Sequence, residues 1–271
     1  MEILCERCCG LDVHKKNITG CILTPEGREI ATFGTMTRDL RALVNWIKSK
    51  GCTHVAMEST GVYWIPVYNL LETEDFEVIV ANANHIKNVP GRKTDTKDAE
   101  WIAELLRHGL LKGSFIPDRE HRELRELTRY RRSLTEEHTR EVNRIQKVLE
   151  GCNIKLTSVV SQLTGVTASH ILSALVEGTT DPEVLARFAK GRLVRKKGEL
   201  LAALEGFIGP HQKQLLAIQI DHLAYLEGLI DRLDEEVAER LRPFEADLAR
   251  LDTIPGVGRR VAEEVLAEIG P

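Results

Sequence analysis

Apolar residues cluster in short runs over the first eighty positions, and these runs predict β-strands. Each run is bounded by polar or turn-forming residues, and a Pro-Glu-Gly segment that begins at Pro25 predicts a turn between the second run and the third. The predicted strands span residues 9–13, 18–23, 29–33, 54–58 and 76–81.

Helical spacing separates the later strands. Apolar positions from Leu40 to Ile47 follow the period of a helix, which we expect Thr37 to cap and Gly51 to end. A second helix is predicted over residues 63–72. Strands that alternate with helices favour a mixed sheet with parallel crossover connections.

The second half of the chain has a helical pattern almost throughout. An apolar helical stripe begins after Thr94. Residues 118–150 and 211–241 are rich in charge and carry sparse, regularly spaced apolar residues, which predicts two long helices that pair as an antiparallel coiled coil. Shorter helices are expected between them, and residues 260–269 predict a last helix. The predicted fold class is therefore α/β followed by all-α.

Composition restricts the class of protein. The chain has 271 residues, 42% of them hydrophobic, which is enough for the core of one large domain or two modest ones. The formal net charge of -4 gives no general basic field, so any contact with nucleic acid must be local. No apolar run is as long as a membrane span, and residues 1–9 lack the apolar core of a signal peptide. We expect a cytoplasmic protein with no membrane partner.

Six cysteines raise the question of a structural zinc site. Cys5, Cys8 and Cys9 form a C-x-x-C-C cluster, but a second ligand pair at zinc-finger spacing is missing from the sequence. Reduced and mostly buried thiols are the better interpretation.

Four acidic residues have the pattern of a magnesium-dependent nuclease. Asp12 lies in the first apolar run and Glu58 closes another, while Asp95 and Asp98 stand three apart where a helical pattern begins. A helix-capping arrangement also explains the last two. It does not explain Asp12, because an unpaired buried carboxylate is costly unless a cation offsets that cost. We predict one site in which the four carboxylates bind Mg²⁺, or Mn²⁺ in its place.

Several cations near these carboxylates are candidates for contact with a nucleic-acid backbone. Lys15 follows Asp12 closely, although a solvated turn explains it equally well. The others flank Asp95 and are Arg92, Lys93 and Lys97.

Two further features have open interpretations. The arginines of residues 119–132 could contact nucleic acid or could form a solvated coiled-coil face that neighbouring glutamates balance. Gly256 and Gly258 lie in a turn that could present backbone N–H groups to a phosphate, as helix-hairpin-helix turns do, or could simply join two helices.

Three blocks of sequence are similar to one known family. They begin at Gly10 (GLDVHK), Met57 (MESTGVYW) and Lys93 (KTDTKDA), and their order and spacing resemble those of the DEDD transposases of bacterial insertion sequences, insertion sequence family 110 and its relatives. The resemblance implies a RuvC-like domain with an RNase H-type fold. It assigns four acidic metal ligands to Asp12, Glu58, Asp95 and Asp98.

The resemblance extends along the chain and implies three segments. Residues 1–115 would be the RuvC-like metal-binding domain, and residues 116–250 a coiled-coil region that mediates a homodimer or tetramer. Residues 251–271 look like the opening of the family's C-terminal transposase domain. That domain carries a serine nucleophile in the family, and the chain ends at Pro271 before it, so we expect this chain to lack that part of the chemistry.

The resemblance implies DNA transposition. The expected partners are the DNA of the element ends and of the target, and in relatives an element-encoded bridge RNA guides the reaction. Two alternatives remain open. The chain could be a non-catalytic module for nucleic-acid binding and dimerisation, or a stand-alone RuvC-like nuclease that resolves branched DNA.

Overall fold

The computed structural model describes residues 2–59, 61–83, 86 and 98–271. The chain divides into two compact units, Met1–Ile116 and Pro117–Pro271. The first is an α/β unit and the second is helical. Among the described residues, no helix is both long and apolar enough to cross a membrane.

A five-stranded mixed sheet forms the centre of the α/β unit, in the strand order β3-β2-β1-β4-β5. The first three strands are antiparallel neighbours, whereas β4 runs parallel to both β1 and β5. The five predicted strands and the parallel crossovers are thereby confirmed. The elements are β1 (Cys8–Val13), β2 (Asn17–Thr24), β3 (Gly27–Gly34), α1 (Thr37–Ser49), β4 (His54–Glu58), α2 (Trp64–Leu71), β5 (Glu77–Ala81) and α3 (Asp98–Arg107).

Both faces of the sheet are covered, and alternate residues of β1 point to different cores. Leu11 packs on one face with residues of α1 and α2. Cys8 packs on the other face with Ala99 and Ala103 of α3. Because side chains alternate along a strand, the α3 face of β1 also receives the side chain of Asp12.

Glycine at position 10 allows α3 to lie unusually close to the sheet. A Cβ atom at Gly10 would stand 2.3 Å from the backbone nitrogen of Ala103 and 2.4 Å from the carbonyl oxygen of Ala99. No side chain fits in that space, so the approach of α3 to β1 requires glycine here.

One predicted helix cap is wrong. Helix α1 begins at Thr37 itself, and the capping position is occupied by Met36, which makes no side-chain capping hydrogen bond. The chain is extended at Met36, so the helix starts one residue earlier than a Thr37 cap would allow. Asp39 in the first turn still places a favourable negative charge near the helix N-terminus.

The cysteines are free thiols, and all but Cys5 are buried. Burial raises the pKa of Cys8 to about 12, with smaller contributions from neighbouring thiols. Within the part of the chain that the structure describes, no three histidine, cysteine or acidic side chains are grouped to hold a metal ion. The observed environment is that of reduced, packed thiols rather than a zinc site.

Two long helices dominate the helical unit. Ion pairs link Glu123 to Arg240, Arg131 to Asp234 and His138 to Glu227, so one helix runs up as the other runs down. The predicted antiparallel pairing therefore occurs within one chain, while the coiled coil as a dimerisation device stays a prediction. The helices of this unit are α4 (Arg119–Gly151), α5 (Val166–Glu177), α6 (Pro182–Leu185), α7 (Lys197–Leu204), α8 (Pro210–Leu241), α9 (Glu245–Asp252) and α10 (Arg259–Ile269).

The cores of the helical unit lie along the long pair and at both of its ends. A large apolar cluster includes Ile145 and Leu149 of α4 together with Leu216 of α8 and the short helices between them. A second cluster joins Leu124 of α4 to the helices α9 and α10. Residues 251–271 are therefore part of this unit.

Candidate functional site

Asp12 and Glu58 are neighbours at the carboxyl ends of two parallel strands. In the pairing of β1 with β4, Leu11 lies opposite Met57, and Asp12 and Glu58 are the next residues. Equivalent positions on adjacent parallel strands point to the same face of a sheet. Both carboxylates therefore lie on the face that α3 covers.

Asp98 reaches the same region because it is the first residue of α3. Helix α3 is held tightly against β1 at Gly10, two residues before Asp12 and on the same face of the strand. The close approach at Gly10 thus fixes the start of α3 near the end of β1. Asp98 is exposed at this helix start.

The electrostatics of Asp12 show that the three carboxylates interact. Burial raises the pKa of Asp12 above its ordinary value, and the negative charges of Asp98 and Glu58 raise it further. A carboxylate near like charges is costly to ionise, and a bound cation relieves that cost. This edge of the sheet is therefore suited to a cation with a preference for oxygen ligands.

His14 is the one partner described for Asp12 that opposes this shift. Its Nε2 atom lies 3.1 Å from Oδ2 of Asp12, and its side chain is 64% exposed whereas that of Asp12 is 23% exposed. The contact lowers the pKa of Asp12, both by charge and by hydrogen bonding. Sequence reasoning considered His14 only as a phosphate contact. The two-residue spacing at the end of a strand was the signal for this pairing, because it places both side chains on one face.

The remaining predicted ligand lies outside the described residues. Asp95 is in that part of the chain, as are the three candidate nucleic-acid contacts Arg92, Lys93 and Lys97. Among the residues that are described, the carboxylates do not by themselves form a group of three that could hold a metal. Lys15 is exposed in the turn after β1.

Arginines of the predicted basic stripe make structural ion pairs within the helical unit. Arg125 and Arg129 both contact the carboxylate of Glu268, at 3.0 Å and 2.7 Å. Arg131 is buried and contacts Asp234 at 2.9 Å and Glu263 at 2.7 Å. These contacts attach α10 to the long helices, which favours the structural interpretation of the stripe.

The glycine turn before α10 joins two helices. Gly256 has a φ of +87°, a conformation that favours glycine, and Gly258 is the N-cap residue of α10. The cations that follow are engaged, since Arg259 pairs with Glu245 and Arg260 pairs with Asp234. Phosphate contact by this turn stays a prediction.

Comparison with known proteins assigns the family. A family model described as a transposase, of the DEDD type of insertion sequence 110, matches residues 9–154. The Sinorhizobium fredii (strain NBRC 101917 / NGR234) protein y4qE, provisionally named as a transposase, is 29% identical over 143 residues. That alignment covers 49% of this chain and 37% of y4qE, so the chain matches little more than a third of the relative's length. Because the family match covers more than half of the chain, the protein belongs to the DEDD transposases of the insertion sequence 110 family.

Proposed function

We propose that the chain supports DNA transposition through Mg²⁺-dependent cleavage and recombination of DNA at the edge of the sheet where Asp12, Glu58 and Asp98 converge. The observation that carries this proposal is the raised pKa of Asp12, to which both other carboxylates contribute. Family membership supports the choice of DNA as substrate. Asp95 joins the ligand set in this proposal through the resemblance of its sequence block to the family.

The donor chemistry fits a hard divalent cation, because carboxylate oxygens are the ligands that Mg²⁺ and Mn²⁺ prefer. When bound, such an ion polarises the scissile phosphate and stabilises the charge that develops during cleavage. Asp12 and Glu58 would hold it from two strand ends, and Asp98 from the start of α3. In its Nε2–H form, His14 donates a hydrogen bond to Asp12 and so orients this carboxylate and favours its ionised state.

The wider reaction involves partners that the family resemblance brings into the proposal. These are the DNA of the element ends and of the target, and a guide RNA encoded by the element. Oligomerisation through the long helices belongs to the same proposal. Each extends beyond the segment that matches y4qE.

Metal binding can be tested apart from catalysis. Isothermal titration calorimetry with MgCl₂ and with MnCl₂ should show binding to the parent chain and a loss of roughly 100-fold or more for Asp12→Asn, since even losses of residues that support metal ligands cost 10- to 100-fold. Asp75→Asn is the matched control, because Asp75 is an exposed acid of the same unit. Equal affinity in the parent and in Asp12→Asn would overturn the metal role.

Cleavage is the second readout. The parent chain with Mg²⁺ should cleave a labelled four-way DNA junction or a linear duplex, and Asp12→Asn should not. Junction cleavage without any cleavage of duplex DNA would instead favour the stand-alone resolving nuclease. DNA binding that is unchanged in Asp12→Asn, with no cleavage by the parent, would favour the non-catalytic module.

A further inference from the structure

We propose that the basic segment, residues 187–197 of the helical unit, binds the phosphodiester backbone of a nucleic acid. This segment is separate from the acidic site and from the arginine stripe of α4. It contains six cations and no acid in a chain whose formal net charge is -4. The six are Arg187, Lys190, Arg192, Arg195, Lys196 and Lys197, and all are exposed.

Four of these cations are available to a ligand. Within the described ranges, Lys196 pairs with Glu199 at 3.3 Å and Lys197 pairs with Glu183 at 3.8 Å. No ion pair is found there for the others, which are Arg187, Lys190, Arg192 and Arg195. The arginines of α4 differ in this respect, because those are held by carboxylates of the same unit. Positive charge that no carboxylate of the fold neutralises is what a polyanion requires.

The basic segment is held in place rather than presented on a free loop. The backbone N–H of Lys190 donates to Oγ1 of the buried Thr167 at 3.2 Å. The ring of Phe188 lies 5.9 Å from that of His170, and Leu193 packs against the main apolar cluster of the unit. An ordered segment loses less conformational entropy on binding, so its cations are well placed to hold a ligand.

A cleft lies between the basic segment and the start of α5. Its volume is about 490 Å³, and its lining includes Gly165, Thr167, Lys190, Arg192 and Lys196. Gly165 is the N-cap residue of α5 and supplies no side chain to the first N–H groups of that helix. The positive end of the helix dipole therefore faces the same cleft as the cations, and both favour an anion.

Nucleic acid is the partner that the chemistry favours. The inference rests on the proposed function only in taking nucleic acid as the polyanion that a transposase handles. DNA and RNA share the phosphodiester group that this surface would recognise, and the charge contacts would give affinity without base specificity.

Fluorescence anisotropy tests the inference directly. The full chain is titrated into a labelled DNA duplex and into a labelled single-stranded RNA, in EDTA and over a range of salt concentrations. The triple variant Lys190→Gln, Arg192→Gln, Arg195→Gln should bind about 10-fold or more weakly, and its salt dependence should be shallower by about two to three contacts. The matched control is Arg41→Gln, Lys147→Gln, Arg232→Gln, which removes the same charge from exposed positions elsewhere.

The outcomes separate this inference from the metal site. EDTA removes divalent ions, so a failure here leaves the cleavage and calorimetry results untouched, and the reverse also holds. Equal affinity in the two triple variants would overturn the inference, and so would a parent chain that binds phosphatidylserine vesicles but neither nucleic acid. Selective loss in the basic-segment variant supports it, and the probe that loses more affinity identifies DNA or RNA as the ligand.

Discussion

The two units use carboxylates in opposite ways. In the α/β unit, Asp12 is partly buried near Asp98 and Glu58, and these like charges raise its pKa. In the helical unit, the buried Glu263 lies 2.7 Å from Arg131 and 2.9 Å from Arg259. Acids that face guanidinium groups are neutralised by the fold itself. Acids that face one another are left for a cation from outside, and this difference separates a structural network from a candidate site.

The largest expected effect comes from removing the cation at the centre of the structural network. Arg131→Met leaves Asp234 and the buried Glu263 without their shared guanidinium, and we expect the free energy of unfolding to fall by about 3–5 kcal/mol. Urea unfolding followed by far-UV circular dichroism measures it, because the signal is dominated by the helices.

A double variant tests whether the loss arises from unpaired charge. Arg131→Met combined with Glu263→Gln removes one buried negative charge together with the cation, so it should be less destabilised than Arg131→Met alone. If the double variant were the less stable of the two, packing rather than charge would explain the effect. The contrast between the units would then be weaker.

The second prediction changes the distance between like charges in the α/β unit. Gly10→Ala forces α3 away from β1, because the new Cβ would lie 2.3 Å from the backbone nitrogen of Ala103. We expect a loss of about 1–3 kcal/mol in the free energy of unfolding, together with weaker Mg²⁺ binding as Asp98 moves from Asp12. The three tryptophans all lie in residues 46–101, so tryptophan fluorescence reports on this unit.

A glycine in the helical unit provides the matched control. Gly228 lies within α8, and a Cβ there would meet no atom within 4 Å. Gly228→Ala should therefore stabilise the protein by about 0.5–1 kcal/mol through helix propensity. A similar stabilisation by Gly10→Ala would show that the close approach of α3 is not required.

Much of this organisation was predictable from local sequence pattern. The alternation of apolar residues along β1 and β4 predicted the strands, and the position of Asp12 and Glu58 at their ends predicted that both would meet at one edge. These features depend on periods of two and on parallel crossovers, which a single sequence carries.

Other features depend on contacts between distant residues and were not predictable. Arg131 contacts Asp234 and Glu263, which are 103 and 132 residues away. The sequence shows abundant charge on these helices but not the rotation and register that decide which charges meet. For the same reason the arginine stripe had two equal interpretations. The ligand role of Asp95 stays a prediction.

A third prediction concerns an acid of the helical unit whose pKa shifts in the opposite direction to that of Asp12. Asp118 caps α4, and its Oδ1 accepts a hydrogen bond from the backbone N–H of His121 at 2.9 Å, which lowers the pKa of Asp118. Asp118→Ala should cost about 1 kcal/mol at neutral pH. This stability is present above the ordinary pKa of 3.8 and is lost as pH falls through the lower, folded-state pKa.

Thermal unfolding from neutral to acidic pH measures this difference. Glu120→Gln is the control, since it removes a charge from the same helical turn without removing the cap. A difference between parent and Asp118→Ala that grew as pH fell would contradict the lowered pKa and would remove the contrast with Asp12.

The smallest effect has the opposite sign and tests the site most directly. Because burial and like charges raise the pKa of Asp12 in the folded state, its ionised form destabilises the fold when no cation is bound, and the penalty develops as pH rises from the ordinary value of 3.8 through the folded-state pKa. At neutral pH in EDTA, Asp12→Asn should therefore be more stable than the parent, by something on the order of 0.5 kcal/mol. The gain should shrink as pH falls, since protonation relieves the parent. Adding Mg²⁺ should reverse the order, because the ion stabilises only the chain that binds it. Thermal melts of both proteins, each with EDTA and with MgCl₂, give the four values. A destabilised Asp12→Asn in EDTA would mean that Asp12 is a structural acid like Glu263, and the distinction between the two units would not hold.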